Sequence, residues 1–517
     1  MRGDMSNSRI AAIDIGTNSI RCIVAEVTEE GKFRILDDEK ATVRLGEKLA
    51  DTGLISDEAS QRAIEAVSRF RKLVNGLNVE LVEAVATSAV RTASNGAALV
   101  RRLEAELGNE IRVISGEEEA ELTAESAFSG FDMYGKRYAM IDIGGGSVEI
   151  VTAVGNHVEE FYSLELGAVV MTERFLKSDP VDPDELGKLQ NHIRRTIRRA
   201  LDGRKISVDS MIGSGGTVNA IGYMSMSICK ENYSSVHGYE VLRSEIVHLL
   251  AMLSRKSLKE RRGVQGLNQD RADIIVAGVA VVDELMRFFN ANRLLVNERG
   301  VRQGLLVRGA ERLGVGNARS VPASWKDSVN DFARSCHVEE LHAKQVASLS
   351  LKIFDAISSS FGLKKCDRKL LEAAAVLHDC GYFINYGSHH KHSYHLIRHA
   401  DIFGFTPRER ELIAQIARYH RKSLPKSGHD AFQKLKEKDR VTVAQLGGIL
   451  RLADGLDRRR CALVEDISCA FDGVALVLNL VSKEDISVEL FGGDAKKNLF
   501  EKVFGVSVVF VTVCKDA

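Results

Sequence analysis

The chain has 517 residues, a length that predicts about three or four domains, each able to bury its own core. Its composition, 44% hydrophobic and 27% charged with only five prolines, excludes a disordered or collagen-like chain. Because 71 basic residues balance 71 acidic ones, any affinity for a polyanion must come from local basic surface.

The longest apolar runs, such as residues 505 to 514, are much shorter than the roughly 20 residues of a membrane helix. The amino-terminal MRGDMSNSRI has no apolar core of a secretion signal, and the eight cysteines form no CxxC pair. We therefore expect a reduced, cytoplasmic protein that neither enters a membrane nor binds nucleic acid.

Two matched segments dominate the first half of the chain. AAIDIGTNSIRCIVAEV predicts a strand, a tight turn and a second strand, and AMIDIGGGSVEIVTAV repeats that pattern. The two copies align at a constant offset, which places Asp14 on Asp142, Gly16 on Gly144, Ser19 on Ser147 and Arg21 on Glu149. The repeat predicts two related halves.

The segments around these copies predict an α/β region up to about residue 310. Ser56 opens a helix in which Ala63, Val67, Phe70 and Val74 recur at helical spacing. A third glycine loop, from Gly213 to Thr217, follows a short apolar run and precedes a stretch compatible with a helix.

The character of the chain changes past Gly314. Pro322 and Trp325 are predicted to lie in a short polar connector, and helical patterns then extend to about Leu456. Ten of the fourteen histidines follow residue 336, which indicates a helical domain with its own chemistry. Residues 464 to 513 alternate strand-like runs around a short helix and predict a small α+β tail.

The repeated turns suit a phosphate group together with a divalent cation. Glycines let backbone N–H groups approach an anion, while Asp142 and Glu149 offer the hard oxygen ligands that Mg²⁺ prefers. Ser147 adds a hydroxyl donor, and the first turn carries the donors Asn18, Ser19 and Arg21. One such turn would be ordinary local structure, but a matched pair favours the phosphate site.

The stretch RVISGEEEAEL has two interpretations. Ser115 and Glu118 have the spacing of a capping box, and acidic residues in a first helical turn are favoured by the helix dipole. Taken alone, Glu117 to Glu119 would be capping residues.

Together, these turns and the motifs ATSAVRTASN, SGEEEA and GSGGT resemble the exopolyphosphatase and guanosine pentaphosphate phosphatase family. That family belongs to the actin, hexokinase and Hsp70 superfold (ASKHA). The resemblance spans nearly the whole chain. It implies two ribonuclease-H-like α/β lobes with a cleft between them, an all-α HD-like domain and the α+β tail, over residues 1–130, 131–312, 325–457 and 458–517.

The resemblance also implies roles for individual residues. Glu119 corresponds to the general base, and Arg91 corresponds to the phosphate-binding arginine of the catalytic centre. Asp142 and Glu149 correspond to the ligands of Mg²⁺ (or Mn²⁺). The residues expected to bind phosphate are Asn18, Ser19, Arg21, Gly144, Gly145, Gly146, Ser147, Gly215 and Thr217.

The histidine-rich region carries a second candidate site. His378 and Asp379 are predicted to lie near the end of a helix that Asp367 opens and Gly381 stops. With His342, Tyr419–His420 and Asp454, these residues resemble the ligand set of the HD phosphohydrolase superfamily, which implies a second metal site at His342, His378, Asp379 and Asp454. The alternative is that the predicted helices 413 to 420 and 443 to 456 are plain core.

Basic side chains are candidates for holding an anionic polymer. A capping box at Thr406–Glu409, with Pro407 at the first helical position, predicts a helix flanked by Lys391, Arg398, Arg418, Arg421 and Lys422. Arg194, Arg195, Arg198 and Arg199 form a further stripe. Either set could equally be a solvated helical face. A polyanion track predicts binding that falls steeply with salt.

The sequence thus predicts a Mg²⁺-dependent exopolyphosphatase that releases orthophosphate from the end of inorganic polyphosphate by attack of water. Hydrolysis of guanosine pentaphosphate (with guanosine tetraphosphate also a candidate ligand), a kinase or ATPase of the same superfold, a polyphosphate or alarmone sensor, and catalysis in the HD-like domain remain alternatives. Family resemblance further implies a homodimer.

Overall fold

We describe a computed structural model of the chain that covers residues 8–28, 33–204, 206–315 and 324–514. The chain forms two compact units, residues 1–232 with 236–321 and residues 322–517 with the short segment 233–235. Two predictions concern residues outside the described ranges. Residues 1–7 belong to the amino-terminal segment that is predicted to contain no secretion signal, and Pro322 belongs to the predicted connector.

The first lobe of the first unit is built on one mixed sheet. Its described strands are β1 (Ser8–Ile15), β2 (Ser19–Val27), β3 (Phe33–Thr42), β4 (Leu81–Ala86) and β5 (Arg112–Val113), in the order β3-β2-β1-β4-β5. Strand β1 pairs antiparallel with β2 and parallel with β4. The helices are α1 (Leu49–Thr52), α2 (Asp57–Gly76), α3 (Ser88–Thr92), α4 (Gly96–Leu107) and α5 (Gly116–Gly130).

The second lobe repeats this arrangement. Its described strands are β6 (Arg137–Ile143), β7 (Val148–Val154), β8 (His157–Leu164), β9 (Ser210–Ser214), β10 (Glu240–Leu242) and β11 (Arg293–Val296), in the order β10-β11-β9-β6-β7-β8. The helices are α6 (Ala168–Phe175), α7 (Pro183–Ala200), α8 (Gly215–Ile228), α9 (Arg243–Ser254), α10 (Leu258–Arg261), α11 (Ile275–Phe288) and α12 (Val301–Leu313), with a 3₁₀ turn at Gln269–Arg271.

Local sequence explains why these elements form where predicted. Strand β1 is apolar and buried from Ile10 to Ile13, as in a central strand covered on both faces. Helix α2 begins after Ser56, whose side chain accepts a hydrogen bond from the N–H of Ala59, and its predicted apolar stripe is buried. The predicted pair of ribonuclease-H-like lobes is confirmed.

Two helices connect the lobes by packing on the opposite sheet. Helix α5 buries Ala120, Ala124 and Ala127 against the strands of the second lobe. Helix α12 buries Leu305 and Leu306 against the strands of the first lobe. Each of these helices therefore packs on the sheet of the lobe opposite to its own, and the first turn of α5 lies at the junction of the lobes.

The second unit is helical with a small sheet. Its helices are α13 (Trp325–Ser335), α14 (Glu340–Ile357), α15 (Lys365–Leu377), α16 (His389–His399), α17 (Pro407–Arg418), α18 (Asp430–Gln433), α19 (Glu437–Gly455), α20 (Ser487–Lys496) and α21 (Asn498–Phe504), with a 3₁₀ turn at Cys380–Phe383. Strands β12 (Asp466–Phe471), β13 (Ala475–Ser482) and β14 (Ser507–Cys514) form the sheet. The predicted helical HD-like domain and the α+β tail are confirmed.

Several predicted boundaries in this unit are wrong. Trp325 opens α13 instead of lying in the connector, because Ser324 caps that helix by accepting the N–H of Asp327. Helix α15 begins at Lys365, with Asp367 two residues inside it, and it ends at Leu377. His378 and Asp379 therefore lie between this helix and the turn that contains Gly381, and not on the helix as predicted. The helix predicted to begin at the Thr406–Glu409 capping box is confirmed as α17, and the range 413–420 covers only its later part. The helix predicted at 443–456 is α19, which begins six residues earlier.

The sheet of the tail shares one hydrophobic core with the helices. Leu476, Leu478 and Leu480 of β13 lie in the same buried cluster as Ile353 of α14 and Leu446 of α19. In the described parts of the chain, no helix combines the length and the apolar character that crossing a membrane requires.

Candidate active site

The two repeated turns have the same internal structure. The N–H of Gly16 donates to the carbonyl of Ser19 at 3.2 Å, and the N–H of Gly144 donates to the carbonyl of Ser147 at 3.1 Å. In the strand registers, Asp14 lies opposite Arg21 and Asp142 lies opposite Glu149. The alignment deduced from the sequence is therefore the alignment of the two hairpins.

The two turns face each other across one cleft. A Cβ atom on Gly145 would lie 2.9 Å from Cβ of Thr17, and one on Gly146 would lie 3.1 Å from Oγ1 of Thr17. Only residues without a side chain allow the two turns to approach this closely. The cleft is lined by Asp14, Thr17, Asn18, Ser19, Arg21, Ser88, Glu119, Asp142, Gly144, Gly145, Gly146, Ser147, Gly215, Gly216, Asn219, Arg271, Arg299 and Arg302, among others.

Glu119 enters this cleft from the first turn of α5. Ser115 caps the helix by accepting the N–H of Glu118, while the carboxylate of Glu118 pairs with Arg112 and Arg308. Glu119 is 7% exposed, and its Oε2 lies 3.5 Å from Nη1 of Arg91. Ser115 thus caps the helix, while Glu119 of the following turn lines the cleft.

Arg91 is held in place by the backbone beside Glu119. Its Nη1 donates to the carbonyl of Ile114 at 2.7 Å, on the segment that leads into α5. The guanidinium therefore lies next to the Glu119 carboxylate, although Arg91 is not among the described residues that line the cleft.

Burial strongly perturbs the carboxylates at this site. Burial and then the charge of Glu149 raise the pKa of Glu119 well above its usual value. Burial raises the pKa of Asp142 to about 6 and that of Glu149 to about 7, and it also raises the pKa of Asp14. Several carboxylates gathered in one desolvated cleft favour a cation between them.

The residues beneath the turns offer atoms with no partner. Glu149 is 1% exposed, and its Oε1 accepts the hydroxyl of Ser163 at 3.1 Å. Among the described residues, Oε2 of Glu149, Nδ2 of Asn18 and Oδ1 of Asn219 are buried without a hydrogen-bond partner. Buried polar atoms of this kind normally have partners, so these atoms are suited to a ligand.

Gly215 lies at the cleft surface, but Thr217 does not. Gly215 has φ of +92°, and a Cβ there would lie 2.6 Å from Oδ1 of Asp142, so a side chain would collide with that carboxylate. Thr217 is 1% exposed and packs against Gly278 of α11. The third glycine loop therefore contributes backbone at Gly215 and Gly216, and the hydroxyl of Thr217 lies in the core.

Sequence reasoning missed the arginines that come from distant parts of the chain. Arg271 is 9% exposed in the 3₁₀ turn before α11, and a Cβ on Gly216 would lie 1.8 Å from its Nη2. Arg302, at the start of α12, pairs with Asp38. Burial, with Arg21 nearby, lowers the pKa of Arg271 to about 10.

The second unit gathers the predicted HD-like residues in one buried cluster. Nε2 of His342 lies 3.8 Å from Oδ2 of Asp379 and 3.6 Å from Oδ1 of Asp454. Nε2 of His378 lies 3.6 Å from the same oxygen of Asp379 and 3.9 Å from that of Asp454. The cluster could bind a metal ion.

Three arginines of the two predicted basic sets make contacts within the protein. Arg194 of α7 pairs with the buried carboxylate of Glu284 at 2.8 Å. Arg398 pairs with Glu411 at 3.1 Å, and Arg418 stacks on the rings of Tyr394 and Tyr419. These three arginines therefore have roles in packing.

Comparison with known proteins agrees with the geometry of the cleft. The family model described as the Ppx/GppA phosphatase family matches residues 23–313, more than half of the chain. The chain belongs to the Ppx/GppA phosphatase family. The model of domain III of the Ppx/GppA phosphatases matches residues 326–486, so the match extends into the HD-like unit.

Solved structures of Ppx/GppA proteins are similar to part of the chain. An exopolyphosphatase from Cytophaga hutchinsonii is 26% identical, with a TM-score of 0.55 over 60% of this chain and 100% of that one. A PPX-GPPA enzyme of Aquifex aeolicus is 29% identical, with a TM-score of 0.51 over 58% of this chain and 99% of that one. The predicted family is therefore confirmed.

Proposed function

We propose that this Ppx/GppA phosphatase is an exopolyphosphatase, which hydrolyses the terminal phosphoanhydride bond of inorganic polyphosphate and releases orthophosphate. The observation that carries the proposal is the cleft between the two turns, where Glu119 lies among Asp142, the glycine backbone and several arginines. Anionic phosphoryl groups match such cationic and N–H-rich surroundings.

The residues present fit a divalent cation. Asp142 and Glu149 lie on adjacent strands, and the buried Oε2 of Glu149 has no partner among the described residues. These two carboxylates would hold Mg²⁺ or Mn²⁺, which supplies charge neutralisation for the nonbridging oxygens of the phosphoryl group.

The chain's own side chains would perform the remaining tasks. The amides of Gly144 to Gly146, the Ser147 hydroxyl and the amide of Asn18 would bind the terminal phosphate, and Arg91 would balance charge that builds up at phosphorus. Glu119 would orient the attacking water and accept its proton. Burial, and after it the charges of the neighbouring carboxylates, raises the pKa of Glu119, which makes its carboxylate a stronger base. A cation that balances the charges of Asp142 and Glu149 would reduce only their part of this shift.

The lining of the cleft favours polyphosphate over guanosine pentaphosphate. Among the described residues that line it, none is aromatic, and the apolar ones are Ile143, Ile274 and Val301. A nucleobase is commonly held by stacking on an aromatic ring, whereas successive phosphates need only cations and N–H donors.

The function is tested by phosphate release from long-chain polyphosphate and from guanosine pentaphosphate at equal enzyme concentration, with Mg²⁺ present. We expect the higher kcat/KM with polyphosphate. A higher value with the nucleotide would replace the proposal by the guanosine pentaphosphate alternative. Binding of either compound without turnover under Mg²⁺ or Mn²⁺ would indicate a sensor.

Replacing Arg271 should weaken substrate binding more than it slows the chemical step. Among the described residues no carboxylate lies at ion-pair distance from this buried guanidinium, so it is available to a second phosphate of the chain. We expect Arg271→Gln to raise KM for polyphosphate about tenfold, the effect of losing one charged contact of about 1.4 kcal/mol, with a smaller change in kcat.

The matched control is Arg262→Gln, which alters an exposed arginine nearby and should change neither constant. Thermal denaturation tests whether Arg271 acts in substrate binding or in stabilising the fold. Because Arg271→Gln removes a buried charge, the variant should be at least as stable as the wild type without substrate. A large loss of stability with unchanged KM would contradict the assignment.

Two further predictions concern the environment of the protein. We propose that the chain acts in the cytoplasm and forms a homodimer. Size-exclusion chromatography with light scattering would measure the oligomeric state directly.

A further inference from the structure

The two carboxylates proposed to hold the cation of the cleft are each bound by a hydroxyl group at one oxygen. The hydroxyl of Thr123 donates to Oδ2 of Asp142 at 3.3 Å, and the hydroxyl of Ser163 donates to Oε1 of Glu149 at 3.1 Å. Oδ1 of Asp142 lies beside Gly215 at the cleft, and Oε2 of Glu149 is buried without a hydrogen-bond partner among the described residues. Each carboxylate therefore has one oxygen held by a hydroxyl and another that remains for a ligand.

Thr123 belongs to the helix that carries Glu119. Both residues lie on α5, four positions apart, and side chains at this spacing are neighbours on one face of a helix. Thr123 is 1% exposed, so water does not compete for its hydroxyl. The same helix therefore presents the Glu119 carboxylate to the cleft and, one turn later, the hydroxyl that fixes the carboxylate of Asp142.

Ser163 reaches Glu149 from the neighbouring strand and lies under the start of the same helix. The two residues are directly opposite in the antiparallel pair of β7 and β8, where facing side chains are close enough to interact. A Cβ atom on Gly116 of α5 would lie 2.5 Å from Oγ of Ser163, so the backbone of the helix packs directly on this serine. Helix α5 thus supplies the first hydroxyl and covers the second.

A hydroxyl bound to one oxygen changes how a carboxylate can bind a cation. Ca²⁺ binds carboxylates through one or both oxygens in flexible geometry, whereas Mg²⁺ is smaller and demands near-octahedral geometry. The two oxygens of one carboxylate are too close together to occupy neighbouring corners of a regular octahedron. Holding one oxygen on a hydroxyl favours binding through the other oxygen alone, which suits Mg²⁺ better than Ca²⁺.

We propose that Thr123 and Ser163 determine the cation specificity of the cleft, because their hydroxyls hold Asp142 and Glu149 in the orientation that offers one oxygen each and so favours Mg²⁺ over Ca²⁺. Both are positioning residues, since each acts through the carboxylate that it orients. The inference rests on the proposed function, from which it takes the two carboxylates as ligands of the cation. It adds the residues that select the cation.

The test measures cation affinity without substrate. The full-length protein is freed of metal with a chelator, and the dissociation constants of Mg²⁺ and Ca²⁺ are obtained from the rise in Tm with cation concentration. We expect Thr123→Val, which keeps the shape of the side chain, to lower the ratio of the Ca²⁺ constant to the Mg²⁺ constant about tenfold, the lower end of the effect of losing a hydrogen bond that orients a metal ligand. Thr123→Ser keeps the hydroxyl and should preserve the wild-type ratio.

The matched control is Thr152→Val. Thr152 is equally buried and lies on β7, the strand of Glu149, but its hydroxyl has no hydrogen-bond partner among the described residues. The control should keep the wild-type ratio, whereas Ser163→Ala should lower the ratio as Thr123→Val does. Because Ser163 is exposed, Ser163→Ala tests the proposal even if Thr123→Val fails to fold.

The variant Asp142→Asn separates this proposal from the function on which it rests. If Asp142→Asn binds Mg²⁺ as tightly as the wild type, the cation does not bind at this carboxylate, and the metal assignment fails together with the inference. If Asp142→Asn weakens Mg²⁺ binding while Thr123→Val and Ser163→Ala keep the wild-type ratio, the metal site stands and the role of the hydroxyls is overturned. A lowered ratio in both hydroxyl variants supports the inference whichever phosphate compound the enzyme prefers, because no substrate is present.

Discussion

Glu119→Gln should abolish turnover while leaving polyphosphate bound. The substitution keeps the size of the side chain but removes the carboxylate that would accept a proton from the attacking water. We expect kcat to fall by about 10² to 10⁴, the usual contribution of a positioned general base. The substitution also removes a buried negative charge that would repel the polyanion. KM should therefore stay the same or decrease.

The measurement is phosphate release under saturating Mg²⁺ and polyphosphate, together with the increase in Tm that polyphosphate causes. The control is Glu117→Gln, which alters an exposed glutamate in the same helical turn and should leave kcat unchanged. If Glu119→Gln turned over substrate at the wild-type rate, another group would have to activate the water.

Asp142→Asn should stabilise the metal-free protein and inactivate the enzyme. Burial raises the pKa of Asp142 from 3.8 to about 6, so the ionised side chain costs the folded state free energy. The wild-type protein therefore loses stability as the pH rises from about 4 to 6, and the full loss persists above pH 6. At pH 7 the neutral amide of the Asp142→Asn variant avoids this loss of unfolding free energy. The loss amounts to about 2 to 3 kcal/mol, at about 1.36 kcal/mol per pKa unit.

For a unit of this size we expect Tm in the presence of a chelator to be higher in the variant by on the order of 5 °C. Mg²⁺ should raise Tm of the wild type and leave that of the variant almost unchanged. Phosphate release should fall at least about 100-fold, since a metal ligand supports several kcal/mol of charge stabilisation.

The matched control for this substitution is Asp132→Asn. Asp132 is exposed, and its Oδ1 accepts the N–H of Tyr134, a bond that the asparagine oxygen preserves. The control should match the wild type in both stability and activity. A variant Asp142→Asn that is less stable than the wild type without metal would show that the carboxylate serves the fold instead of the site.

The parts of the site that could be predicted from sequence are those encoded locally. A strand, a glycine turn and a return strand place Asp14 opposite Arg21 and Asp142 opposite Glu149, within eight residues in each hairpin. Because the spacing within a hairpin fixes which residues are neighbours, the repeat was sufficient to align both turns.

Residues that reach the cleft through tertiary packing could not be found in this way. Arg271 precedes α11 and Arg302 begins α12, and nothing in their neighbouring residues marks either as part of a phosphate site. The position of Arg302 depends on how α12 packs on the opposite lobe, and that of Arg271 on the turn that precedes α11. Likewise, Thr217 follows the glycines in sequence, but the first turn of α8 rotates its side chain into the core.

The same distinction holds for the second unit. The dipeptide His378–Asp379 is visible in the sequence, whereas the approach of His389 and His420 to Asp379 depends on the packing of α16 against α17. Helix starts were predicted correctly where the cap was recognised, at Ser56 and Thr406, and the start of α13 was missed because the cap at Ser324 was not recognised.

The core shared by β13 with α14 and α19 has a practical consequence for anyone who shortens this protein. Cutting the gene after codon 457 would strip an apolar layer from the remaining helices and also remove Lys496, the counterion of Asp454. Such a fragment should be prone to aggregation. Deletion studies of the histidine cluster therefore need to keep the last sixty residues or so, because the helices and the small sheet are expected to unfold as one cooperative block.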